Sequence, residues 1–255
     1  MGKINAVLFD LGDTLVDLGE GRPDYAARLI ARGERVCTAL TALGATITDR
    51  AGFVAALAHE SETLYQAAVA EQRGLDIYDV MRVFLPQMGL PADEAWVAAA
   101  GDAFYEPTAD GTDLRTGAIE LLTALRARGY RLGVISNTLQ PGPLMDRTLA
   151  RRGLLAFFPV RIYSSEVRVA KPHPAIFRAG LVALGLPAAQ VVYVGDRLRA
   201  DVAGAQGVGM WAVLIEVAHR AEDDPTIIPH ARIRELPELP DVLHRLEFAE
   251  IKPVV

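Results

Sequence analysis

The sequence predicts an α/β fold, a doubly wound parallel sheet with a block of helices inserted after its first strand. Three observations carry this expectation. Apolar runs of strand length alternate with helical stretches through the second half of the chain, the pattern of βα units that build a parallel sheet covered on both faces. The run Ala6-Val7-Leu8-Phe9 opens the chain and stops on Asp10, which reads as a strand buried on both sides with a carboxylate just past its end. Between the two regions, residues 24–105 show helical spacing and no credible strand.

The elements follow in order. Beyond the first strand, Asp17 to Pro23 is polar and Gly-rich, an exit from the sheet. Leu29, Val36, Leu40 and Leu43 recur at roughly helical spacing, and Gly44 is the stop. Thr48 or Asp49 caps a second helix with Phe53, Leu57, Leu64 and Ala68 along one face. Ile77, Val80, Met81 and Phe84 form a third helix before Pro86, and Pro91 starts a fourth through Trp96 and Phe104. Glu106 to Gly117 is rich in turn formers and reads as a return linker. Helices are then expected at 118–128, 143–152, 174–184, 200–206 and 240–247. Strands are expected at 131–136, 160–164, 190–194 and 210–215, with a late segment at 231–233. The core is thus expected in 1–16 and 113–255, with a helical cap in 17–112 over the carboxyl edge of the sheet.

Composition narrows the function classes. Of 255 residues, 51% are hydrophobic and 23% charged, an ordinary globular balance. The formal net charge is −6 and no basic block occurs, which argues against nucleic acid as a partner. The single cysteine, Cys37, cannot form an internal disulfide, and no apolar stretch reaches membrane-spanning length. These features predict a cytoplasmic protein without membrane partners; oligomeric state is not legible.

Four strand ends carry chemistry. Asp10 can attack an electrophile or hold a divalent cation. Ser136-Asn137-Thr138, directly after a strand, offers a hydroxyl, an amide and backbone N–H groups suited to an anionic oxygen, though a plain turn would look the same. Lys171-Pro172 stands out through scarcity: lysine occurs at 3, 171 and 252 only, in a chain with 26 lysines and arginines together. A chain that nearly always uses arginine yet keeps one interior lysine fits a need for a compact point charge. Gly195-Asp196, with Asp201 one helical turn on, completes the set. Carboxylates converging with Asp10 would repel unless a cation were present, and hard oxygen ligands beside a phosphate point to Mg²⁺.

The ordered motifs FDLGDTL, VISNT, KP and VGDRLRAD resemble those of the haloacid dehalogenase-like hydrolase superfamily, across essentially the whole chain. The resemblance implies a Rossmann-like core, with the helical insert as that family's cap between the first and second motifs. It implies Asp10 as a nucleophile forming an aspartyl-phosphate. Asp10, Asp196 and the main-chain carbonyl of Gly12 would be ligands of Mg²⁺. Ser136 and Asn137 would cradle the phosphoryl group of a small phosphorylated metabolite, Lys171 would neutralise charge, and Asp201 would orient Lys171 or metal-bound water.

One position departs from the pattern. The family's phosphatases carry a second aspartate as general acid–base, and Gly12 stands there. General acid–base help is worth roughly 10² to 10⁴ in rate. Asp13 is the nearest substitute, one residue off, and reads equally as a turn residue. Glu20, His59, Glu60 or Glu62 of the insert have suitable chemistry; alternatively, an acyl or aryl phosphate needs no proton on its leaving group. Two rivals remain: a weakly active or non-catalytic phospho-ligand-binding protein, and a haloacid dehalogenase, whose family members typically lack the Gly-Asp pair at 195–196. A phosphonate hydrolase would need a cap lysine, and none occurs between Lys3 and Lys171. Trp96 and Trp211 read as packing residues; His173, His219, His230 and His244 lack metal-ligand spacing. Arg22 and Arg28 could meet a substrate anion, and Arg197 and Arg199 flank the acidic site.

Overall fold

The structure, a computed structural model, describes residues 3–18, 23–105, 113–217, 224 and 226–247. The apolar runs become strands of one six-stranded parallel sheet, in the order β5-β4-β1-β6-β7-β8. Its members are β1 (Ala6–Phe9), β4 (Arg131–Ser136), β5 (Val160–Tyr163), β6 (Val191–Gly195), β7 (Trp211–Ile215) and β8 (Ala231–Ile233). β1 and β6 are buried along their whole length, as a two-sided parallel sheet demands. Successive residues go to opposite layers. Val7, Phe9, Val134, Val192 and Val194 share a core with helices α5 (Ala118–Ala127), α6 (Gly142–Arg151) and α10 (Leu239–Glu247). Leu8, Ile135, Tyr193 and Leu214 pack against α8 (Pro174–Leu184) on the other face. The chain steps from β1 outward to β4 and β5, then returns to the far side of β1 as β6, so the strand order reverses between β1 and β6. Ligand crevices of open α/β sheets form at such reversals, at the carboxyl ends of the strands.

The inserted segment forms four helices, α1 (Pro23–Ala42), α2 (Arg50–Ala70), α3 (Ile77–Gln87) and α4 (Glu94–Phe104). They enclose an apolar cluster of their own, in which the Phe53 and Phe84 rings meet edge to face at 5.0 Å. Asp49 caps α2 by accepting from Gly52 N at 2.8 Å. Two sequence expectations are corrected. α3 runs through Pro86 rather than stopping before it, because a proline in the last turn deprives only the carbonyl one turn back, on exposed Arg82. α4 starts after Asp93, whose carboxylate takes the N–H groups of Ala95 and Trp96, so the cap overrides Pro91. Leu43, expected on the buried face of α1, is 43% exposed just beyond the helix end.

Two features escape local pattern. Val16–Asp17 (β2) and Asp113–Leu114 (β3) pair antiparallel where the chain leaves and rejoins the sheet domain, each too short to show periodicity. Leu198–Ala203 is a π-helical turn continued by α9 (Gly204–Gln206), where a helix at 200–206 was expected. Trp211 is buried and donates to Ala189 O, while His173 caps α8 and His230 accepts from Ala212 N. Glu20, Arg22, His219 and 106–112 of the return linker lie outside the described residues. No helix among the described residues is long and apolar enough to cross a membrane.

A seam ties the helical block to the sheet domain. Residues 71–76 between α2 and α3 lie along the segment that follows β5, which begins with the short helix α7 (Ser164–Val167). Ala170 N donates to Gln72 O at 3.0 Å, Arg73 bridges Val169, and Arg168 reaches both Asp76 and Asp79. Gly74 sits against the Ser164 carbonyl, where a Cβ would collide with rigid backbone. Gly74→Ala is therefore expected to destabilise the protein by about 1–3 kcal/mol, measured as a shift of the urea midpoint at unchanged slope.

Candidate active site

Asp10 follows the last residue of β1, and its N–H still donates to Val194 O at 2.8 Å, so the sheet ladder fixes it. The register sets Phe9 beside Val194, which brings Asp196 off the adjoining strand to the same edge. Lys171 arrives from the segment before α8. Its ammonium donates to Asp10 Oδ1 and Asp201 Oδ1, both at 2.6 Å, and to the Tyr193 hydroxyl at 3.0 Å. Lys171, Asp10, Asp201 and Asp196 are all buried.

The neighbouring sequence explains how these groups converge. The Asn137 side chain accepts from Lys171 N at 2.8 Å and donates to Lys171 O at 3.1 Å, which clamps the lysine backbone. Both ends of the amide are thus engaged with Lys171, so the Asn137 side chain orients the lysine from the cavity wall. Ser136 lines the cavity beside it, and its hydroxyl donates to Asn137 O at 3.4 Å. The π-helical turn, in which Val202 N reaches back to Arg197 O, turns Asp201 toward the strand end. Gly195 is required there: a Cβ would overlap the Asp201 carboxylate. Asp201 Oδ2 in turn accepts from Arg197 N at 3.0 Å.

Burial pushes the Asp10 carboxyl above its usual range, with Lys171 opposing and Asp201 adding to the rise. Burial alone would lower Lys171, but Asp10 and Asp201 outweigh it and hold the ammonium well above its ordinary value. The ammonium form of Lys171 is thereby favoured. Asp10, Asp196 and Asp201 each offer a carboxylate oxygen, and these atoms lie within 4.8 Å of one another. Asp10 and Asp201 share the Lys171 ammonium, and the all-oxygen donor set that they form with Asp196 suits a hard divalent cation.

Asp13 lies in a tight turn with φ of 54°, a conformation aspartate tolerates. Its Oδ1 accepts from Leu18 N at 3.0 Å and its carbonyl from Arg115 at 2.7 Å, so it holds the turn into β2. The volume beside Gly12 is taken by Leu18: a Cβ at position 12 would stand 2.7 Å from Leu18 Cδ1. Of the other acid–base candidates, Glu62 lines the cavity, whereas Glu60 pairs with Gln87 and His59 is exposed. Arg197 and Arg199 also reach the cavity wall, with Arg199 paired to Asp224 at 3.1 Å.

Sequence reasoning missed three participants. Thr14 faces Asp10 Oδ2 at 3.5 Å from within the first motif. Tyr193, the one hydroxyl in an otherwise aliphatic strand, bonds Lys171, Asp201 and Ile135 O; a lone polar group in such a strand was the available signal. Tyr65 of α2 donates to Asn137 O at 3.3 Å, and desolvation raises its hydroxyl pKa. Together these elements border a cavity of about 680 Å³ between the helical block and the sheet edge.

Comparison with known proteins gives the family. The sequence model of haloacid dehalogenase-like hydrolases matches residues 4–209. The chain is 28% identical over 253 residues to a glyceraldehyde 3-phosphate phosphatase of Pyrococcus furiosus, covering 96% of this chain and 95% of that protein. It is 30% identical over 249 residues to a protein of the same name from Methanopyrus kandleri, covering 95% and 98%. A 2-haloacid dehalogenase of Pseudomonas syringae pv. Tomato DC3000 superposes with a TM-score of 0.69 at 26% identity, covering 95% of this chain and 99% of that one. A HAD phosphatase of Thermococcus onnurineus does so at 0.60 and 26%, covering 94% and 97%. With the family model spanning all four strand-end motifs, the chain belongs to the haloacid dehalogenase-like hydrolases.

Proposed function

We propose that the protein is a Mg²⁺-dependent phosphatase of a small phosphorylated metabolite, with Asp10 as nucleophile. The observation that carries this reading is the buried Asp10–Lys171–Asp201 array beside Asp196, facing the cavity between the helical block and the sheet edge. Relatives named as phosphatases, aligned over nearly the whole chain, support it. In the first step a carboxylate oxygen of Asp10 bonds to phosphorus while the bond to the leaving oxygen breaks, and that oxygen departs with the electron pair. Water then attacks the acyl phosphate, releasing phosphate and restoring the carboxylate. Lys171 offsets the charge of nucleophile and phosphoryl group, and Ser136 and Asn137, which line the cavity, cradle the transferring group. Phosphoryl transfer needs little beyond such alignment and charge compensation. Mg²⁺, held by Asp10, Asp196 and the Gly12 carbonyl, would neutralise the phosphate oxygens. Residues 17–112 serve as the cap and 1–16 with 113–255 as the core.

The dehalogenase reading fits less well. A haloacid brings its own carboxylate to a site where three carboxylates already converge, and displacement at carbon gives no role to the third acid, Asp196. For the phosphatase, Leu18 over Gly12 means that no carboxylate protonates the leaving oxygen from that side. Turnover should then depend steeply on leaving-group acidity, with aryl and acyl phosphates far ahead of alkyl esters.

Two measurements test this. Phosphate release from aryl and alkyl monoesters is expected to require Mg²⁺, to cease with EDTA, and to fall roughly a thousand-fold or more in Asp10→Asn. Mg²⁺-independent turnover, or halide release from 2-haloacids in its place, would overturn the reading. In the second, Gly12→Asp combined with Leu18→Ala is expected to raise kcat on alkyl esters by about 10²–10⁴. Gly12→Asp alone should gain less, because Leu18 obstructs the new side chain.

A further inference from the structure

Resting on the phosphatase reading, the structure points to a substrate class: we propose that the metabolite carries a second anionic group, and that Arg32 is its anchor. Arg28 and Leu29 of α1 lie four and three residues before Arg32, so both flank it on one helix face, and all three line the cavity that Asp10 and Lys171 also line. Arg28 donates to the Leu18 carbonyl and is tied to the turn beside Gly12. Arg35, on the adjoining face, donates to Ala103 O at 3.0 Å and Phe104 O at 3.1 Å, which fixes α1 to the end of α4.

Arg32 differs from both. Its guanidinium lies 4.9 Å from the Tyr105 ring centroid and 5.5 Å from that of Phe104. Among the described residues it makes no hydrogen bond and has no carboxylate within ion-pair distance. Stacking on aromatic faces orients a guanidinium while leaving its N–H edge available. An arginine so held has already lost much of its side-chain freedom, and that lowers the entropic cost of taking a ligand.

The charge of the cavity supports the same assignment. Outside the catalytic cluster, the described lining residues that carry charge are the arginines at 28, 32, 152, 197 and 199, against the acids Asp13 and Glu62. The phosphate itself is matched at the Lys171 end, so the cationic remainder suits another oxyanion. A carboxylate or a second phosphoryl group presents the paired oxygens that an arginine fork takes in two parallel hydrogen bonds. The cavity, at about 680 Å³, has room for a ligand reaching from Asp10 to α1. The relatives named for glyceraldehyde 3-phosphate act, by that name, on an ester without a second anion; this chain is assigned a different preference.

The test compares matched ligands. With Mg²⁺, 3-phosphoglycerate is expected to exceed glyceraldehyde 3-phosphate in kcat/KM by ten-fold or more if the second anion is a carboxylate. Fructose 1,6-bisphosphate should exceed fructose 6-phosphate likewise if it is a phosphoryl group. Arg32→Gln should collapse the preferred ratio toward one, chiefly through KM, and Arg32→Lys should restore part of it. Calorimetric binding of the same pairs to Asp10→Asn with Mg²⁺ reads the preference without turnover, so loss of all phosphatase activity would sink the phosphatase reading and still leave this one measurable. Equal affinity for both members of each pair, no binding of either, or an Arg32→Gln that weakens both alike would overturn the proposal.

Discussion

One ammonium holds the site together. Lys171 Nζ touches Asp10, Asp201 and Tyr193 at once, in a place that water scarcely reaches. Buried carboxylates cost several kcal/mol each unless they are paired and hydrogen-bonded, so the strand ends can converge only around this cation. Much of the local architecture serves that requirement. Asn137 clamps the lysine backbone, Tyr193 rises from a strand to reach it, and the missing side chain at Gly195 lets Asp201 fold back beneath it. The same atoms that make the fold tolerable at this edge also set Asp10, the proposed nucleophile, against the Lys171 ammonium.

The opposite wall is built on a different principle. Leu18 covers Gly12, Arg28 ties helix α1 to the turn below it, and Asp13 is held by backbone partners. The corner beside the nucleophile is therefore apolar where the family pattern would place an acid. Charge is plentiful on the floor of the cavity and on α1, and absent at the one point where proton transfer to a leaving oxygen would occur. On the proposed phosphatase reading, specificity in such a site falls on the substrate itself, through the acidity of its leaving group and the groups it presents to the helices.

Much of this was legible in the amino-acid order. The strand run at 131–136 matches the observed element residue for residue, since an apolar segment bounded by turn formers is a local signal. Asp10, Lys171, Asp196 and Asp201 could be singled out because each is a polar residue at the end of an apolar run or a rare type in its setting. The rest depended on contacts across long stretches of chain. Leu18 over Gly12, Arg32 on Tyr105, and the Asn137 clamp on Lys171, 34 residues away, leave no periodic trace. The helix through Pro86 and the start after Asp93 were misjudged for another reason. A proline at a helix end forfeits little, and a well-placed aspartate cap outweighs a proline two residues earlier.

The pairing of Phe9 with Val194 has a thermal corollary. Neighbouring strands stand about 4.8 Å apart, and the two acids that extend from them inherit that spacing from the central ladder rather than from surface loops. Central strands are the last part of a domain to open. Warming should thus loosen the helices and outer turns while positions 10 and 196 keep their separation, and the pair should part only when the whole sheet melts.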